Sequence, residues 1–444
     1  MSASGHDAAS PPSAGVFACI ADRLFDGERA LPDHAVLIEG DRIAAVLPAA
    51  QVPAGVPKLV RPGATIIPGL VDIHTHFMRW EGPLFLSWGV TTVRDTGNSL
   101  DWILARRSEA ARRPWPRILC TGPLIDGPAP IHPHVSRACQ DESEAVRAVR
   151  ETAAAGVDGI KLYTQVRPGW LPALVRETHA AGLKASMHCV GTGVRVAAQA
   201  GVDEFHHLDG VHVDVWPNGP AGWLDVWGLP EFGQTWDRQQ ALADEIRACG
   251  IAATPTLAYW HSQVLNHATN RDTLRDVTQV PAELARWQSA RVPNQQLSDQ
   301  WRRALEAAQA FVGLLLERGV PVLAGSDVPC GAVTPGRSLW RELALLVEAG
   351  MSPRQVLQAA TQDAADFLGH SELGRLRPGA VADLAFVQGD PTAAIPDRPQ
   401  VTTIVRSGVV HETAKLRELA ATEASGLESD PWGAQLRAHW ASAR

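Results

Sequence analysis

Two histidines separated by one residue, His74 and His76, have a spacing that suits metal binding. On a β-strand, residues two positions apart point to the same face, so both imidazoles can reach one ion from the end of the strand. The preceding segment, residues 68–72 (PGLVD), indicates a strand that leaves a tight turn. A purely structural pair is the alternative, because a chain with 16 histidines can contain an H-x-H pattern by chance.

Lys161 lies inside the apolar run of residues 159–163 (GIKLY). A lysine in an apolar strand is unfavourable unless it is neutral or paired. Burial and neighbouring cations lower the pKa of its amine, and a neutral amine can add carbon dioxide to become a carbamate. That group would supply a bridging oxygen ligand, which the sequence otherwise lacks. The alternative is an ordinary ion pair between Lys161 and a carboxylate.

Three further candidate ligands, His188, His207 and Asp327, stand at the ends of other apolar runs. His206 competes with His207, but we expect strand alternation to send one of the two outward. An aspartate at the end of the last strand can both bind a metal and accept a proton. Singly, each is an ordinary polar residue at a strand end. Together they predict a two-metal site with the ligands His74, His76, Lys161, His188, His207 and Asp327.

The candidate ligands lie in a series of eight short apolar runs. Stretches rich in Ala, Glu and Arg, with the period of a helix, lie between most of these runs. Continuous apolar strands that alternate with helices predict a parallel sheet. Eight such units over about 250 residues have the size of a (β/α)8 TIM-like barrel, with its chemistry at the carboxyl ends of the strands. We assign residues 65–370 to this barrel. The runs are residues 65–77, 90–97, 117–125, 159–164, 184–191, 204–210, 251–259 and 320–329.

Both ends of the chain contain short runs of residues that favour β-strands. In residues 34–46, two such runs flank Gly40 and Asp41, which is a hairpin signal. Residues 374–387 and 403–410 have the same character. We therefore predict one small discontinuous β-sandwich domain from residues 15–64 and 371–412, a flexible tail over residues 1–14, and a helical extension over residues 413–444.

Composition excludes several classes of protein. The net charge of −8 and the absence of a basic run argue against nucleic-acid binding. No apolar run approaches the roughly 18–20 residues of a membrane helix, and residues 1–14 lack the features of a signal peptide. The six cysteines form no C-x-x-C pair, which favours free thiols in a reducing compartment. We expect a cytoplasmic protein that acts on a small-molecule substrate, without nucleic-acid or membrane partners.

From about residue 15 to about residue 412, the chain resembles the amidohydrolase superfamily, and within it the imidazolonepropionase-like and Xaa-Pro dipeptidase-like branch. The resemblance implies that His74, His76 and Asp327 bind one metal ion. It implies that His188 and His207 bind a second, that carboxylated Lys161 bridges the two, and that a homo-oligomer is possible. The matching segments are residues 68–76, 89–95, 156–161, 179–184, 200–203, 255–257, 325–327, 359–361 and 374–383.

Three features depart from the family pattern. His206 stands where the family usually has a glutamate before the histidine of strand six. The glycine-rich strip with a histidine after strand three reads GPAPIHPH here, over residues 127–134. Residues 211–235 form an unusual insert rich in Trp, Gly and Pro. These departures concern the substrate rather than the metal site.

The expected mechanism follows from two divalent ions about 3.5–4 Å apart, which lower the pKa of a bridging water toward ~7. The resulting hydroxide attacks a carbonyl carbon, one metal stabilises the oxyanion, and Asp327 passes the proton to the leaving amine. The ligand set suits zinc, with manganese, iron and cobalt as alternatives. Besides Asp327 and Lys161, we expect His134 and Tyr163 to be catalytic, and His132, His134 and Tyr163 to hold the substrate carbonyl or the oxyanion. Loop or packing roles are the alternative for these three.

Aromatic residues follow strands six and seven, where loops rim the mouth of such a barrel. They predict an aromatic wall or lid and a bulky apolar or aromatic group on the substrate. Packing of the insert or an oligomer interface is the alternative. The substrate-binding candidates in these loops are Trp216, Trp223, Trp227 and Tyr259.

The leading functional hypothesis is hydrolysis of an amide-type C–N bond in a dipeptide, an N-acyl amino acid, or an aryl amide, carbamate or urea. A deaminase or cyclic-amide hydrolase is the next alternative, although deaminases of this superfamily usually use one metal and lack the bridging lysine. A lactonase or esterase stays open, since the same hydroxide attacks esters. A non-catalytic scaffold would have lost ligands, whereas all six positions are filled here.

Overall fold

The computed structural model describes residues 15–219, 222–268, 293–396, 398–423 and 430–435 of the chain. The predicted tail of residues 1–14 lies outside the described residues, as does much of the predicted extension over residues 413–444. The first strands include the predicted hairpin, in which His34–Glu39 and Arg42–Pro48 run antiparallel on either side of Gly40 and Asp41. These strands are β1 (Val16–Phe25), β2 (Ala30–Pro32), β3 (His34–Glu39), β4 (Arg42–Pro48) and β5 (Lys58–Pro68).

The middle of the chain alternates short, mostly buried strands with helices, as predicted. The strands are β6 (Leu70–Thr75), β7 (Val90–Asp95), β8 (Arg117–Cys120), β9 (Leu124–Asp126), β10 (Ser136–Ala138), β11 (Ile160–Leu162), β12 (Ala185–His188), β13 (Glu204–His206) and β14 (Ala252–Thr254). The helices are α1 (Gly82–Ser87), α2 (Leu100–Ala110), α3 (Glu142–Ala154), α4 (Leu171–Ala180), α5 (Val194–Gln199), α6 (Val211–Val215), α7 (Trp223–Trp227), α8 (Trp236–Cys249), α9 (Leu257–His267), α10 (Gln295–Glu317), α11 (Arg337–Glu348), α12 (Pro353–Ala359) and α13 (Gln362–Phe367). Short 3-10 helices cover Ala49–Gln51, Arg79–Glu81, Pro168–Trp170 and Pro230–Thr235.

These middle strands form two parallel sheets. One has the order β6-β7-β8 and the other the order β10-β9-β11-β12-β13-β14. Single parallel bridges join Ala253 to Val322 and Thr75 to Val328, so the chain after α10 runs between β14 and β6. The predicted α/β class is therefore present, and β11, β12 and β13, which carry or precede three of the candidate ligands, lie side by side.

Helix α3 shows how the sequence positions one of these strands. The Asp141 side chain accepts a hydrogen bond from the backbone N–H of Glu144 at 2.9 Å, which caps the start of the helix. Ala145, Ala148 and Val149 are buried at the three- and four-residue spacing of a helix face. This face packs against β9 and β11, so α3 supports the strand that contains Lys161.

The C-terminal strands are β15 (Leu384–Gln388), β16 (Val401–Arg406) and β17 (Val409–Glu412), followed by α14 (Thr413–Glu423). Strands from both ends of the chain join in one mixed eight-stranded sheet, with the order β17-β16-β15-β5-β1-β3-β4 and β2 paired to β1. The prediction of a β-sandwich requires two sheets. Instead, β5 and β15 pair directly and join the strands from both ends of the chain into one sheet. The domain boundaries stay predictions. No helix within the described ranges combines the length and apolarity required to cross a bilayer.

Candidate metal centre

A cavity of about 390 Å³ lies at the carboxyl ends of the parallel strands. His74 is in β6, Lys161 is in β11 and His188 ends β12, while His207 directly follows β13. Residues from five separate segments of the chain therefore meet in one place. All the residues predicted as metal ligands line this cavity: His74, His76, Lys161, His188, His207 and Asp327.

His74 and His76 both face Asp327, as their two-residue spacing predicts. The Nε2 atoms of the two imidazoles lie 3.2 and 3.4 Å from Oδ1 of Asp327. Potential donor atoms of His74, His207 and Asp327 all fall within 4.8 Å of one another, a separation that can hold a metal ion. His76, Asp327 and Cys330 form a second such group, and this overlap makes Asp327 the centre of the cluster.

Asp327 is held in place by bonds between its own segment and β6. Its backbone N–H donates to the carbonyl of His74 at 2.8 Å. The preceding Ser326 donates to the buried Asp72 carboxylate twice, from its N–H at 2.9 Å and from its hydroxyl at 2.6 Å. A Cβ on Gly325 would lie 2.6 Å from Cβ of His74, so only glycine permits this close approach.

The hydrogen bonds of His76 and His188 fix which nitrogen of each ring carries a proton. Nδ1 of His76 lies 3.2 Å from the carbonyl oxygen of Gly97, which can only accept, so Nδ1 donates and the Nε2 lone pair faces Asp327. Nε2 of His188 donates to Oδ2 of Asp209 at 2.7 Å. Nδ1 of His188 is buried without a partner among the described residues. Each ring therefore keeps one lone pair for the cavity.

The same deduction applies to His207 through Thr256. The Thr256 hydroxyl donates to the carbonyl of Pro255 at 2.8 Å, so it accepts from Nδ1 of His207 at 2.7 Å and leaves Nε2 unprotonated. Nδ1 of the fully buried His74 has no hydrogen-bond partner among the described residues, and its Nε2 lies near Asp327 without the geometry of a hydrogen bond. Buried polar atoms are normally satisfied, and neutral histidines with one tethered nitrogen are the usual metal ligands. This donor set therefore fits divalent metal ions.

Electrostatics favour the neutral side chains that metal binding requires. Burial lowers the pKa values of His74 and His207 well below the ordinary range. Burial also lowers the pKa of Lys161 to about 7, against the opposing attraction of Glu204. Glu204 itself is paired with Arg94 at 2.7 Å, and Lys161 forms no salt bridge with any residue in the described ranges. A neutral amine at Lys161 is the form that can become a carbamate.

The prediction that one of His206 and His207 points outward is wrong, because both are buried. His206 is buried in the interior, where Nδ1 contacts Nζ of Lys161 and Nε2 lies 2.9 Å from Oε2 of Glu204. Alternation fails because the strand ends at His206 and His207 has a backbone φ of +61°. That left-handed residue turns the second histidine to the same side as the first. His206 therefore lies against Lys161, behind the predicted ligands.

Three of the predicted substrate-binding residues line the cavity, namely His132, Tyr163 and Tyr259. The Tyr163 ring lies 5.6 Å from that of His132 and 5.1 Å from that of His188. Burial raises the pKa of Tyr163 well above its ordinary value, so its hydroxyl keeps its proton and can donate. His134 does not appear among the described residues that form the lining.

Trp227, one of the residues predicted to form an aromatic lid, lies in the hydrophobic core and not at the cavity. Trp227 is fully buried and packs against Phe232 and Trp260, with ring separations of 4.4 and 5.4 Å, so it belongs to the core under the insert. Trp216 is not part of the cavity lining within the described ranges. The side chain of Trp223 lies outside the described residues.

Several cavity residues escaped the sequence prediction, and four of them carry polar or aromatic groups next to the predicted ligands or come from the end of the chain: Asp209, Cys330, Trp432 and Gln435. Asp209 follows His207 by two residues, so a search for carboxylates near the predicted ligands could have found it. Cys330 similarly follows Asp327 by three. Trp432 and Gln435 come from the end of the chain, and no local pattern connects them with strands that precede them by hundreds of residues.

Comparisons with known proteins identify the family of the chain. A model of the amidohydrolase family matches residues 65–415, and a model of the NagA composite domain matches residues 16–66. No protein of curated function matches the sequence.

Solved structures resemble nearly the whole chain. A bottromycin amidohydrolase is 25% identical with a TM-score of 0.70, over 95% of this chain and 92% of that one. A Xaa-Pro dipeptidase with methionine bound in its active site is 18% identical with a TM-score of 0.67, over 90% of this chain and 100% of that one. An ochratoxinase from A. niger is also 18% identical, with a TM-score of 0.63, over 90% of this chain and 96% of that one. The last two likenesses concern the fold alone.

Proposed function

The chain belongs to the amidohydrolase family and is a hydrolase, and we propose that it cleaves an amide-type C–N bond with two divalent metal ions. The observation that carries the proposal is the common direction of the histidine lone pairs. His76, His188 and His207 each have one ring nitrogen bonded to the protein and the other available to the cavity that contains Asp327. Such tethering is typical of metal-binding histidines.

The strand pairing supports a closed (β/α)8 barrel as the scaffold for this site. The bridges from Ala253 to Val322 and from Thr75 to Val328 connect the end of the six-stranded sheet to the start of the three-stranded one. The N–H of Asp158, just before β11, donates to the carbonyl of Cys120 at the end of β8 at 2.8 Å, which links the two sheets on their other side. In such a barrel the carboxyl ends of the strands form the active-site face, where this cavity lies.

We assign His74, His76 and Asp327 to one ion and His188 and His207 to the other, with carboxylated Lys161 between them. The mixture of imidazole nitrogen and carboxylate oxygen favours zinc. Bound in this way, the ions would supply an activated water and a Lewis acid that polarises the substrate carbonyl.

The protein's own residues then have separate tasks. Asp327, central to the cluster, takes a proton from the attacking water and delivers it to the leaving amine. The Tyr163 hydroxyl, which keeps its proton, donates a hydrogen bond to the carbonyl oxygen as negative charge develops there. His132 lies beside Tyr163 and helps to hold the substrate carbonyl.

The cavity volume of about 390 Å³ suits a dipeptide, an N-acyl amino acid, or an aryl amide, carbamate or urea. The likeness to a bottromycin amidohydrolase supports amide chemistry in particular. Lys161 argues against the deaminase alternative, because deaminases of the family usually lack the bridging lysine. An esterase or lactonase would use the same residues on an ester.

The proposal is tested by metal analysis combined with a substrate panel of dipeptides, N-acyl amino acids, aryl amides, phenylureas and esters. The purified protein should hold two ions per chain and hydrolyse at least one amide-type compound. Lys161→Ala should lose most of the metal and the activity. Lys184→Ala is the matched control, since Lys184 is a partly exposed lysine whose partner is Asp203. Full metal content in Lys161→Ala would remove the bridging role, and turnover of esters alone would favour the esterase.

A further inference from the structure

Residues 430–435, near the end of the chain, lie against the candidate metal centre. Trp432 and Gln435 are only 2% and 8% exposed, and both line the cavity. The segment is anchored at its start, where Oδ2 of Asp430 accepts the backbone N–H of Arg79 at 3.0 Å. Arg79 begins the short 3-10 helix that follows the His74 and His76 pair. The segment is thus bound to the part of the chain that carries two candidate ligands.

Trp432 shares a hydrogen-bond acceptor with His76. Its indole Nε1–H donates to the carbonyl oxygen of Gly97 at 2.6 Å, and Nδ1 of His76 lies 3.2 Å from that same oxygen. The Trp432 ring also covers the imidazole of His76, with 4.3 Å between ring centres, and lies 5.3 Å from the ring of His132. One side chain therefore contacts a candidate ligand, its hydrogen-bond acceptor and a candidate substrate-binding residue.

This arrangement restricts the His76 ring in two ways. The indole bond fixes the carbonyl that orients Nδ1, and thereby keeps Nε2 directed at Asp327. The indole ring also shields one side of the imidazole from water. Partners that orient a metal-binding histidine typically change metal affinity about 10- to 100-fold when they are lost.

Gln435 gives a second, independent indication that the segment faces a ligand. Its Oε1 atom is buried and has no hydrogen-bond partner among the described residues, although the side chain lines the cavity. A buried carbonyl oxygen without a partner is unfavourable unless a ligand satisfies it. An N–H group of the substrate is the chemistry that would do so.

We propose that residues 430–435 complete the active site, with Trp432 as a positioning residue for His76 and Gln435 as an acceptor for a substrate N–H. The inference rests on the proposed function, because it assigns a task to residues around the same metal centre. Neither residue belongs to a strand of the parallel sheets.

Metal release tests the role of Trp432 without requiring a substrate. The full-length metal-loaded protein is mixed with excess chelator, and loss of metal is followed over time. Trp432→Phe, which keeps a ring but loses the N–H, should release metal about 10-fold faster, and Trp432→Ala faster still. Trp340→Phe is the matched control, because the indole of the buried Trp340 donates to the Trp88 carbonyl at 2.8 Å. That variant should release metal at the wild-type rate.

Thermal unfolding of each variant separates metal release from general instability, since Trp340→Phe loses the same type of bond. Wild-type release rates in both Trp432 variants would overturn the positioning role. A wild-type protein that binds no metal would instead contradict the proposed function itself, and this inference with it.

The KM for an amide substrate found with the panel tests Gln435. Gln435→Leu, of similar size but without an acceptor, should raise KM about 10-fold and leave metal release unchanged. Gln435→Glu keeps an acceptor and should recover part of the loss. An unchanged KM in Gln435→Leu would overturn the substrate contact.

Discussion

Nε2 of His188 donates to Oδ2 of Asp209 at 2.7 Å, while Nδ1 of the same ring is buried without a partner among the described residues. This pair sets the direction of a candidate ligand, because the carboxylate holds one nitrogen and the other faces the cavity. A carboxylate behind a metal-binding histidine also raises the basicity of the imidazole. Asp209 lines the cavity and is 6% exposed, so little water competes for the bond.

We predict that Asp209→Asn weakens metal binding roughly 10- to 100-fold, because the amide can accept the same hydrogen bond but carries no charge. Titration of the metal-free protein with zinc measures the change. Asp203→Asn is the matched control, since Asp203 makes a comparable 2.8 Å bond to Nε2 of the exposed His179. Equal affinities in the two variants would show that the Asp209 charge does not act on the metal centre.

Gly325 gives a prediction about backbone contact. An added Cβ would lie 2.6 Å from Cβ of His74 and 2.9 Å from Cγ2 of Thr254, so Gly325→Ala must push the Asp327 segment away from β6. We expect a severe loss of metal content and stability. Gly169→Ala is the control, because a Cβ at that position meets nothing within 4 Å. Metal analysis and a thermal melt of both variants decide the matter, and normal metal binding in Gly325→Ala would contradict the prediction.

Trp227 should behave as a core residue and not as a lid. Trp227→Ala removes a fully buried indole that packs against Phe232 and Trp260, and should lower the free energy of unfolding by roughly 3–5 kcal/mol. Trp236→Ala, at a position 39% exposed, should change it by less than about 0.5 kcal/mol. Urea unfolding measures both. A Trp227→Ala protein of normal stability with an altered KM would restore the interpretation as a lid.

The candidate ligands could be predicted from the sequence because the relevant signal is local. His74, Lys161 and His188 each lie in or at the end of a short apolar run, and parallel strands bring such positions to one edge. The hairpin around Gly40 was predictable for the same reason, since two short runs flank a turn signal. Residue type and spacing within about ten positions carry this information.

What escaped prediction depends on backbone conformation or on distant contacts. The positive φ of His207 overrides strand alternation, and residue types alone do not reveal it. The bond from Trp432 to Gly97 spans 335 residues. The single sheet depends on pairing between β5 and β15, more than 300 residues apart in sequence. No periodicity within one segment reports such contacts.

Glu342 should make stability depend on pH. Burial raises the pKa of this carboxyl from an ordinary 4.5 to about 8, against opposing hydrogen bonds from the backbone N–H groups of Ala258 and Leu257. Between these two values the native state binds a proton that the unfolded chain has released. The free energy of unfolding should therefore fall as pH rises from about 4.5 to about 8, and then level off. The shift corresponds to roughly 4–5 kcal/mol.

Glu342→Gln should abolish this contribution, because the amide has no proton to lose and can still accept the N–H of Ala258, which lies 2.6 Å from Oε2. Urea unfolding of the metal-free protein at pH 5, 7 and 9 provides the comparison. We expect the variant to gain stability over the wild type as pH rises, with the largest difference at pH 9. Glu348→Gln, a less buried position on the same helix α11, should follow the wild-type curve. Parallel curves for wild type and Glu342→Gln would show that Glu342 is ionised in the native state, and that α9 starts against a charged carboxylate.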